Sequence, residues 1–364
     1  MNLPDLKNAD MEAKRVLMRV DYNVGFISEK ADGTFTEEYR IKSSKDSIDY
    51  ILSKRGAKLA LLSHFGEPAS PEFQRGKPEE KQDDFSFKNL YRSFGKILGR
   101  EIVFIDDCVG EKVKDGLDNL KEGQILMLEN TRFHKEEVLN DKKFAGSIAS
   151  NFDIYINEAF GVSHRNHSSV ARIAEFLPSF TGFNFQKEVE ELGKIRFNFK
   201  RPAVAIIGGA KIGTKMPVIQ FFSENYDYVL LGGKVGMEAI KNNFFPNSNV
   251  FLPKDEKGEG LDIGPKTVEE FAEYIKSANT IVWNGPLGCF EKLPFNEGTL
   301  DVLKTIIGNK RAYKVAGGGE TLQLLEQYGL ISKFNFVSTG GGAMLDFLVQ
   351  GTLPGIESLI NSKK

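Results

Sequence analysis

The chain has 364 residues, so at roughly 150 residues per domain we predict two domains, and its 48 Lys and Arg against 50 Asp and Glu leave a formal charge of −2. This balance argues against a protein whose affinity rests on a general basic surface, such as a nucleic-acid coat, but it leaves room for a local anion pocket. No apolar run reaches the roughly 18–20 residues of a membrane span, the charged start lacks a secretory signal, and the distant cysteines Cys108 and Cys289 suggest neither a disulfide framework nor a zinc site, so we expect a cytoplasmic protein.

Short apolar runs alternate with longer amphipathic stretches, a pattern typical of βα units around a parallel sheet. In the first half the predicted strands cover residues 15–20, 58–62, 124–128 and 153–156. Ligands of open α/β sheets lie beyond the carboxyl ends of the strands, so the residues that follow each strand are the candidates. Those residues are polar and often cationic: Asp21, Asn23, Arg40, Ser63, His64, Glu129, Asn130, Arg132, Asn157, His164, Arg165 and His167. Because a guanidinium matches carboxylate and phosphate groups, this set predicts a small, multiply charged anion as ligand.

In the second half, glycine replaces these polar residues. The predicted strands cover residues 203–207, 228–231, 280–283, 312–315 and 334–337, and the turns after them are GGAK (208–211), GG (232–233), NGP (284–286), GGGET (317–321) and TGGG (339–342). Glycine lets a ligand approach the backbone, and helix N-termini then direct N–H groups at phosphate, so we predict a nucleotide site. Lys211 and Lys215 would add mobile positive charge. The turns match neither a Walker A loop nor the G-x-G-x-x-G dinucleotide fingerprint.

A connecting helix is predicted over residues 184–198, because Phe185, Val189 and Leu192 recur at the spacing of one helical face. The strand ends on either side of it carry complementary chemistry, with Arg and His before the helix and Gly after it. We therefore expect a cleft that closes. Phosphoryl transfer suits such a cleft, since it needs positioning, charge neutralisation and the exclusion of water.

Several motifs then carry a resemblance to a known family. They are RVDYN (19–23), SHFG (63–66), LENTRFHKEE (128–137), NEAFG (157–161), HRNHS (164–168), GGAK (208–211), DIGPKT (262–267), WNGP (283–286), GGG (317–319) and STGGGA (338–343). Together and in this order they make the chain resemble the phosphoglycerate kinase family along nearly its whole length.

The resemblance implies an α/β fold of two Rossmann-like lobes, each a parallel sheet flanked by helices, joined by a hinge helix. The expected lobes are residues 1–183, which bind phosphoglycerate, and 199–349, which bind nucleotide; the end of the chain, about 350–364, returns to the first. It also implies reversible phosphoryl transfer between 1,3-bisphosphoglycerate and ADP, giving 3-phosphoglycerate and ATP in glycolysis and gluconeogenesis. Mg²⁺ would accompany the nucleotide, and the resemblance suggests a monomer without nucleic-acid or membrane partners.

Residue roles carry over position by position. The expected phosphoglycerate ligands are Asp21, Asn23, Arg40, His64, Arg132 and Arg165. The expected nucleotide ligands are Gly209, Ala210, Lys211, Lys215, Gly232, Gly233, Asn284, Pro286, Glu291, Gly318, Gly319, Glu320 and Thr321. Arg40 and Lys211 would steady the migrating phosphoryl group, with Gly318 and Gly341 as further catalytic backbone positions. Glu320 would contact Mg²⁺, directly or through water.

Departures from the family pattern keep alternatives open. Glu67 stands where the family usually has Arg, Thr214 where it has Asp, Glu320 where it has Asp, and Lys234 where it has Gly. A nucleotide-binding paralogue that acts as a non-catalytic scaffold is therefore a second hypothesis. An NAD-dependent dehydrogenase is a third, although the missing fingerprint argues against it. We expect His167 to support the site or the core, and Glu136 and Glu137 to lie on a solvated helix face.

Overall fold

The computed structural model describes residues 1–27, 34–35, 38–68, 83–209, 212–244 and 247–362. The chain divides into two compact units. The first comprises Met1–Val189 together with the segment from Thr352 onward, and the second comprises Glu190–Gly351.

The first unit is organised around a six-stranded sheet whose strand pairs are all parallel. In chain order its strands are β1 Arg15–Arg19, β4 Lys58–Leu62, β5 Ile102–Ile105, β6 Ile125–Leu128, β7 Ile154–Asn157 and β8 Ser179–Thr181. Between β1 and β4 the chain forms a separate antiparallel pair, β2 Phe26–Ile27 and β3 Thr34–Phe35. The spatial order is β5-β6-β4-β1-β7-β8. The central strands are almost wholly buried, as expected for a parallel sheet covered on both faces.

Helices accompany this sheet. They are α1 Glu38–Lys42, α2 Lys45–Leu52, α3 Tyr91–Leu98, α4 Glu111–Asn119, α5 Lys142–Ala149 and the first part of α6 Phe183–Phe197, which continues along the chain into the second unit. Local chemistry explains their ends: α3 stops where Gly99 adopts a left-handed conformation with φ of 67°, and the Asp141 side chain caps α5 by accepting from the Phe144 N–H at 2.8 Å. Buried aromatic rings of Tyr22, Phe87 and Phe94 pack between α3 and the sheet.

The second unit has its own six-stranded parallel sheet in the order β11-β10-β9-β14-β15-β16. Its strands are β9 Ala203–Ile207, β10 Tyr228–Leu231, β11 Val250–Phe251, β14 Thr280–Asn284, β15 Tyr313–Gly317 and β16 Phe336–Ser338, with an antiparallel pair of β12 Glu256–Lys257 and β13 Asp262–Ile263. Its helices are α7 Ile212–Asn225, α8 Gly233–Lys241, α9 Pro265–Ser277, α10 Glu297–Gly308, α11 Gly319–Gln327 and α12 Gly342–Gln350.

A last helix, α13 Pro354–Ile360, belongs to the first unit. The Gly355 N–H donates to the Ser163 carbonyl at 2.9 Å, and the Ser358 hydroxyl reaches the Val170 carbonyl at 3.4 Å. Among the described residues, every helix is too short or too polar to cross a lipid bilayer.

The predicted fold class is confirmed. All nine strands predicted from the sequence are present, with ends within two residues of those expected. Within the two six-stranded sheets the prediction missed β5, β8 and β11, each of which is an edge strand, and it also missed the antiparallel pairs β2–β3 and β12–β13.

Candidate active site

The polar residues of the first unit gather because three strands end at the same level. In the parallel register Arg19, the last residue of β1, lies opposite Leu62 of β4 and Asn157 of β7. The segments that follow these strands therefore leave the sheet at one edge, where a ligand of an open α/β sheet binds.

Arg132 is aimed by the turn in which it lies. The buried side chain of Asn130 caps a 3₁₀ turn, Thr131–Phe133, by accepting from the Arg132 N–H at 3.0 Å. The same side chain accepts from the Phe65 N–H at 3.1 Å and donates to the Phe65 carbonyl at 2.7 Å, which ties the turn after β6 to the turn after β4. The Arg132 guanidinium then donates to the Gly66 carbonyl at 2.5 Å. Burial lowers the pKa of Arg132 to about 10, with the neighbouring Arg165 charge acting in the same direction.

A buried network lies behind this edge. Arg19 donates from Nε to the Ser169 hydroxyl at 2.9 Å and from Nη2 to Nδ1 of His64 at 3.1 Å, and it also donates to the Val20 carbonyl. Ser169 in turn donates to the Glu137 carboxylate, from its hydroxyl at 2.5 Å and from its N–H at 2.9 Å. A carboxylate thus compensates the buried guanidinium through one shared serine.

The hydrogen bond from Arg19 fixes the tautomer of the His64 ring. Because a guanidinium only donates hydrogen bonds, Nδ1 of His64 accepts, and the neutral ring carries its proton on Nε2. Burial, reinforced by the charges of Arg19, Arg132 and Arg165, holds the pKa of His64 well below its usual range. Burial and the charges of Arg132 and Arg165 also lower the pKa of His167 to about 3. Both rings are therefore neutral near pH 7.

The remaining predicted phosphoglycerate ligands lie at the same edge. Arg40 contacts Asp21 Oδ2 at 3.4 Å and the Asn23 carbonyl at 3.5 Å, while the Asn23 side chain accepts from the Gly66 N–H at 2.9 Å. Arg165 lies 3.6 Å from the Glu67 carboxylate. Backbone contacts through residue 66 thus link Asn23 and Arg40 to Arg132.

In the second unit the strand ends are also level. Ile207 of β9 lies opposite Leu231 and Asn284, Asn284 lies opposite Gly317, and Gly317 lies opposite Ser338. The glycine-rich turns begin directly after these positions, so all of them open at one edge of the sheet.

Two of these glycines serve the packing of the turns on one another. A Cβ on Gly208 would lie 2.1 Å from the Pro286 carbonyl oxygen, and a Cβ on Gly285 would lie 2.5 Å from the Gly208 carbonyl oxygen. By contrast, among the described residues a Cβ on Gly209 would make ordinary contacts with the ends of the Glu320 and Lys215 side chains, at 3.7 and 3.9 Å. Gly209 also lines a pocket, where a ligand can approach its backbone.

Two adjoining pockets lie along this edge and share Glu320. The first is lined by Gly209, Gly233, Lys234, Gly260, Leu261, Pro286, Gly288, Cys289, Glu291 and Glu320. The second is lined by Thr214, Lys215, Asn284, Gly285, Gly318, Gly319, Glu320, Thr321, Gly341, Gly342, Leu345 and Asp346. The N-termini of α11 and α12 begin at the second pocket, which suits phosphate.

Among the described residues that line the second pocket, Lys215 is the one with a cationic side chain. Its ammonium donates to the side-chain oxygen of Asn284, whose amide donates to the Gly317 carbonyl at 2.9 Å. The hydroxyl of buried Thr321 accepts from the Gly285 N–H at 2.8 Å. Burial lowers the pKa of Lys215 to about 8, against the opposing effect of the Glu320 carboxylate.

Comparison with known proteins decides the family. The family model described as phosphoglycerate kinase matches residues 6–245 and 238–351. The chain belongs to the phosphoglycerate kinase family. The phosphoglycerate kinase of Dictyoglomus turgidum is 35% identical over 98% of this chain and 98% of its own, and that of Thermosipho africanus is 36% identical over 99% and 98%.

Solved phosphoglycerate kinases also share the fold. That of Coxiella burnetii matches with a TM-score of 0.79 at 28% identity over the whole of both chains, and that of Pyrococcus horikoshii with 0.83 at 27% identity over 98% of each. Membership of this family identifies the chain as a kinase. None of these matches supports the non-catalytic scaffold.

For this member of the phosphoglycerate kinase family, most of the predicted site residues lie at the two sheet edges. Gly209, Gly233, Pro286, Glu291 and Glu320 line the first pocket, and the second pocket takes in Lys215, Asn284, Thr321, the predicted glycines of β15–α11 and Gly341. Gly232 directly precedes α8. A Cβ on Gly232 would lie 2.6 Å from the Leu287 side chain, so glycine at this position serves packing. Ala210 and Lys211 lie outside the described residues.

Several residues escaped the sequence prediction. Arg19, Ser169 and Asp346 were not singled out for a site, although a buried charge at a strand end is a usable signal for Arg19. The expectation of a solvated face is wrong for Glu137, which is fully buried. The departures Thr214 and Lys234 are exposed residues at the pocket walls.

Proposed function

We propose that the chain catalyses reversible phosphoryl transfer between 1,3-bisphosphoglycerate and ADP, giving 3-phosphoglycerate and ATP. The observation that carries the proposal is the convergence of Arg40, Arg132, Arg165 and neutral His64 at one edge of the first sheet. Three guanidinium groups match a ligand that bears both phosphate and carboxyl groups. The family to which the chain belongs supports the same reaction.

The phosphoglycerate would bind to Asp21, Asn23, Arg40, His64, Arg132 and Arg165. His64 would donate from Nε2, since Arg19 occupies Nδ1. Asp21 and Asn23 add oxygen acceptors that suit a hydroxyl group. The nucleotide would bind in the two pockets of the second unit, with its phosphates toward Lys215 and the N-termini of α11 and α12 and its nucleoside toward Glu291.

In the ATP-forming direction, an oxygen of the ADP β-phosphate would attack the acyl phosphate phosphorus. The bond between phosphorus and the carboxyl oxygen breaks, and 3-phosphoglycerate leaves with the electron pair as a carboxylate. No proton moves, so no general base is needed. Arg40 and Lys211 would stabilise the charge on the migrating group, and the rest of the site would act by positioning.

The second unit also offers oxygen ligands for a magnesium ion. The exposed carboxylate of Glu320 lies where the two pockets meet, and Asp346 lines the second pocket. Carboxylate oxygens are the ligands that Mg²⁺ prefers, so these residues fit the ion, with Glu320 bound directly or through water. When bound with the nucleotide, Mg²⁺ neutralises phosphate charge.

A coupled assay tests the proposal. Purified protein with 3-phosphoglycerate and MgATP is expected to form 1,3-bisphosphoglycerate, which an added dehydrogenase reduces with NADH, so the NADH absorbance falls. Folded protein without turnover would overturn the proposal. Calorimetry distinguishes the scaffold hypothesis from the proposed enzyme, because a scaffold is expected to bind nucleotide but not 3-phosphoglycerate.

The chain is proposed to be a cytoplasmic monomer. The two cysteines are unpaired, which suits a reducing cytoplasm, and the family resemblance suggests a monomer. Light scattering after size exclusion tests the latter. A mass near 40.6 kDa is expected for a single chain.

A further inference from the structure

The Glu67 carboxylate lies between two of the proposed phosphoglycerate ligands. Its Oε1 is 3.5 Å from Nη1 of Arg132 and 3.6 Å from Nη1 of Arg165. The Arg132 side chain is 4% exposed, whereas that of Glu67 is 64% exposed, so the carboxylate covers a buried cation from the solvent side. It thus neutralises the charge that an anionic ligand would use.

The backbone beside Glu67 is held on both sides. The Gly66 N–H donates to Asn23 Oδ1 at 2.9 Å, and the Gly66 carbonyl accepts from Arg132 at 2.5 Å. A Cβ on residue 66 would lie 2.2 Å from the Phe85 ring, so this turn is closely packed as well as hydrogen-bonded. The turn therefore places residue 67 next to the arginine pair, within reach of its carboxylate.

We propose that Glu67 is an internal competitor for the anion site and thereby sets how strongly this site binds anions. The inference rests on the proposed function, since Arg132 and Arg165 are taken there as phosphoglycerate ligands. In the free protein the carboxylate occupies the arginine pair, and an entering phosphate or carboxyl group displaces it. The displacement cost is the same for every anion, and a ligand that also contacts Arg40 and His64 has further contacts that offset it. Glu67 therefore weakens binding of all anions at this edge by a similar factor, which leaves lone inorganic anions with the lowest affinity.

The magnitude follows from the exposure of the carboxylate. Ion pairs with a solvent-exposed partner are weak, so removal of the charge is expected to tighten anion binding by about two- to fivefold. The effect is expected to shrink at high ionic strength, because salt screens the carboxylate. The nucleotide site is built from other residues, and its affinity is expected to stay the same.

The test compares Glu67→Gln with the wild type, using Glu122→Gln as matched control. Glu122 is an exposed carboxylate in the turn before β6, away from the carboxyl ends of the strands, so its loss makes the same charge change elsewhere on the unit. Calorimetric Kd values are measured for 3-phosphoglycerate and for sulfate, together with the KM for ATP. In E67Q we expect tighter binding of both anions by a similar factor, and an unchanged KM for ATP. The control is expected to match the wild type.

The outcomes separate this inference from the proposed function. If the wild type binds 3-phosphoglycerate but E67Q binds both anions no more tightly, the competitor role is wrong and the proposed function stands. If the wild type does not bind 3-phosphoglycerate, the proposed function fails, and the sulfate measurement alone decides whether Glu67 competes for anions. Glu67→Ala repeats the test without an amide at this position. Weaker sulfate binding in both variants would overturn the inference.

Discussion

At the residue scale, the cations of both sites have protein partners before any ligand arrives. Arg40 contacts Asp21 and the Asn23 carbonyl, and Lys215 donates to Asn284. These contacts hold long side chains in place, which reduces the conformational entropy that binding would otherwise cost. On the proposed function, each cation would exchange a protein partner for a phosphate or carboxyl group.

Arg40→Ala is expected to lower kcat by about a hundredfold or more, because it removes a charge proposed to act on the migrating phosphoryl group. The coupled assay measures kcat, and circular dichroism measures the Tm. We expect little change in Tm, since Arg40 is only partly buried and lies on the short helix α1. Normal kcat in the folded variant would refute the role.

Lys215 predicts a pH dependence of nucleotide binding. The pKa of its ammonium is lowered to about 8, so the free protein loses this charge as pH rises through that value. The affinity for ADP is expected to fall above pH 8 by up to about tenfold per pH unit, with proton uptake on binding. Calorimetry in buffers of different ionisation enthalpy measures both effects. Lys215→Arg keeps its charge and is expected to lose the dependence; the same pH profile in both proteins would contradict the assignment.

Glu137 predicts a large loss of stability from a small change. Glu137→Gln leaves the buried Arg19 charge without its compensating carboxylate, and we expect a loss of about 3 kcal/mol in the free energy of unfolding. Glu136→Gln is the control, because Glu136 is half-buried beside Glu137, whereas the Ser169 N–H and hydroxyl both donate to Glu137. Urea unfolding measures both variants, and equal effects would show that the Ser169 link does not compensate Arg19.

Site residues that follow the strand ends could be predicted from the sequence, whereas the buried residues that support them, such as Glu137 and Ser169, could not. Arg132 and His64 follow predicted strands directly, so the parallel sheet places them at its edge. Glu137 lies further along, and its burial depends on Ser169, which belongs to a distant turn. A tertiary contact of this kind leaves no periodic pattern in the sequence.

At the element scale, the start of α6 is tied to the first sheet by a buried acid. The Glu158 carboxyl follows β7 and accepts from the Asn184 and Phe185 N–H groups, each at 3.2 Å, and from the Ser47 hydroxyl at 2.7 Å. A Cβ on Gly182 would lie 1.9 Å from its Oε2, so the acid is closely packed. Helix N-terminal N–H groups favour an acid here, while burial disfavours its charge.

This acid predicts that stability falls as pH rises. Burial, opposed by these hydrogen bonds, raises the pKa of Glu158 to about 8, whereas the unfolded chain releases the proton near its ordinary value of 4.5. Between these values the folded state binds the extra proton, so stability is lost with increasing pH by at most about 1.4 kcal/mol per unit. Glu158→Gln cannot titrate, and its stability relative to the wild type is expected to rise between pH 5 and pH 8. Parallel urea curves at each pH measure this; a constant difference would contradict it.

The elements that the sequence missed are short or lie at edges. Strand β5 is only partly buried along most of its length, and β8 and β11 have three and two residues. Such segments carry too few apolar positions to show a period. The central strands, buried on both faces, are near-continuous apolar runs, which is why they could be predicted.

At the scale of the whole molecule, each unit has its own parallel sheet and its own set of ligand-binding turns. The first unit carries the proposed phosphoglycerate ligands, and the second carries the pockets proposed for the nucleotide. On the proposed function, the chain would divide two recognition tasks between two separate cores. A ligand stabilises the state that binds it, so each ligand is expected to protect first the turns that contact it.

Hydrogen exchange followed by mass spectrometry tests this division of tasks. With 3-phosphoglycerate alone, we expect the largest decrease in amide exchange rate, compared with the free protein, in the turns after β1, β4 and β6, because Asn23, Gly66 and Arg132 lie there. With MgADP alone, we expect it in the turns after β9, β14 and β15, whose N–H groups would face phosphate. Arg132→Ala is the control: it is expected to abolish the first pattern and leave the second intact. Protection by 3-phosphoglycerate mainly at the glycine-rich turns would contradict the assignment of ligands to units, whereas loss of both patterns in Arg132→Ala would mean that this arginine maintains the fold rather than one site.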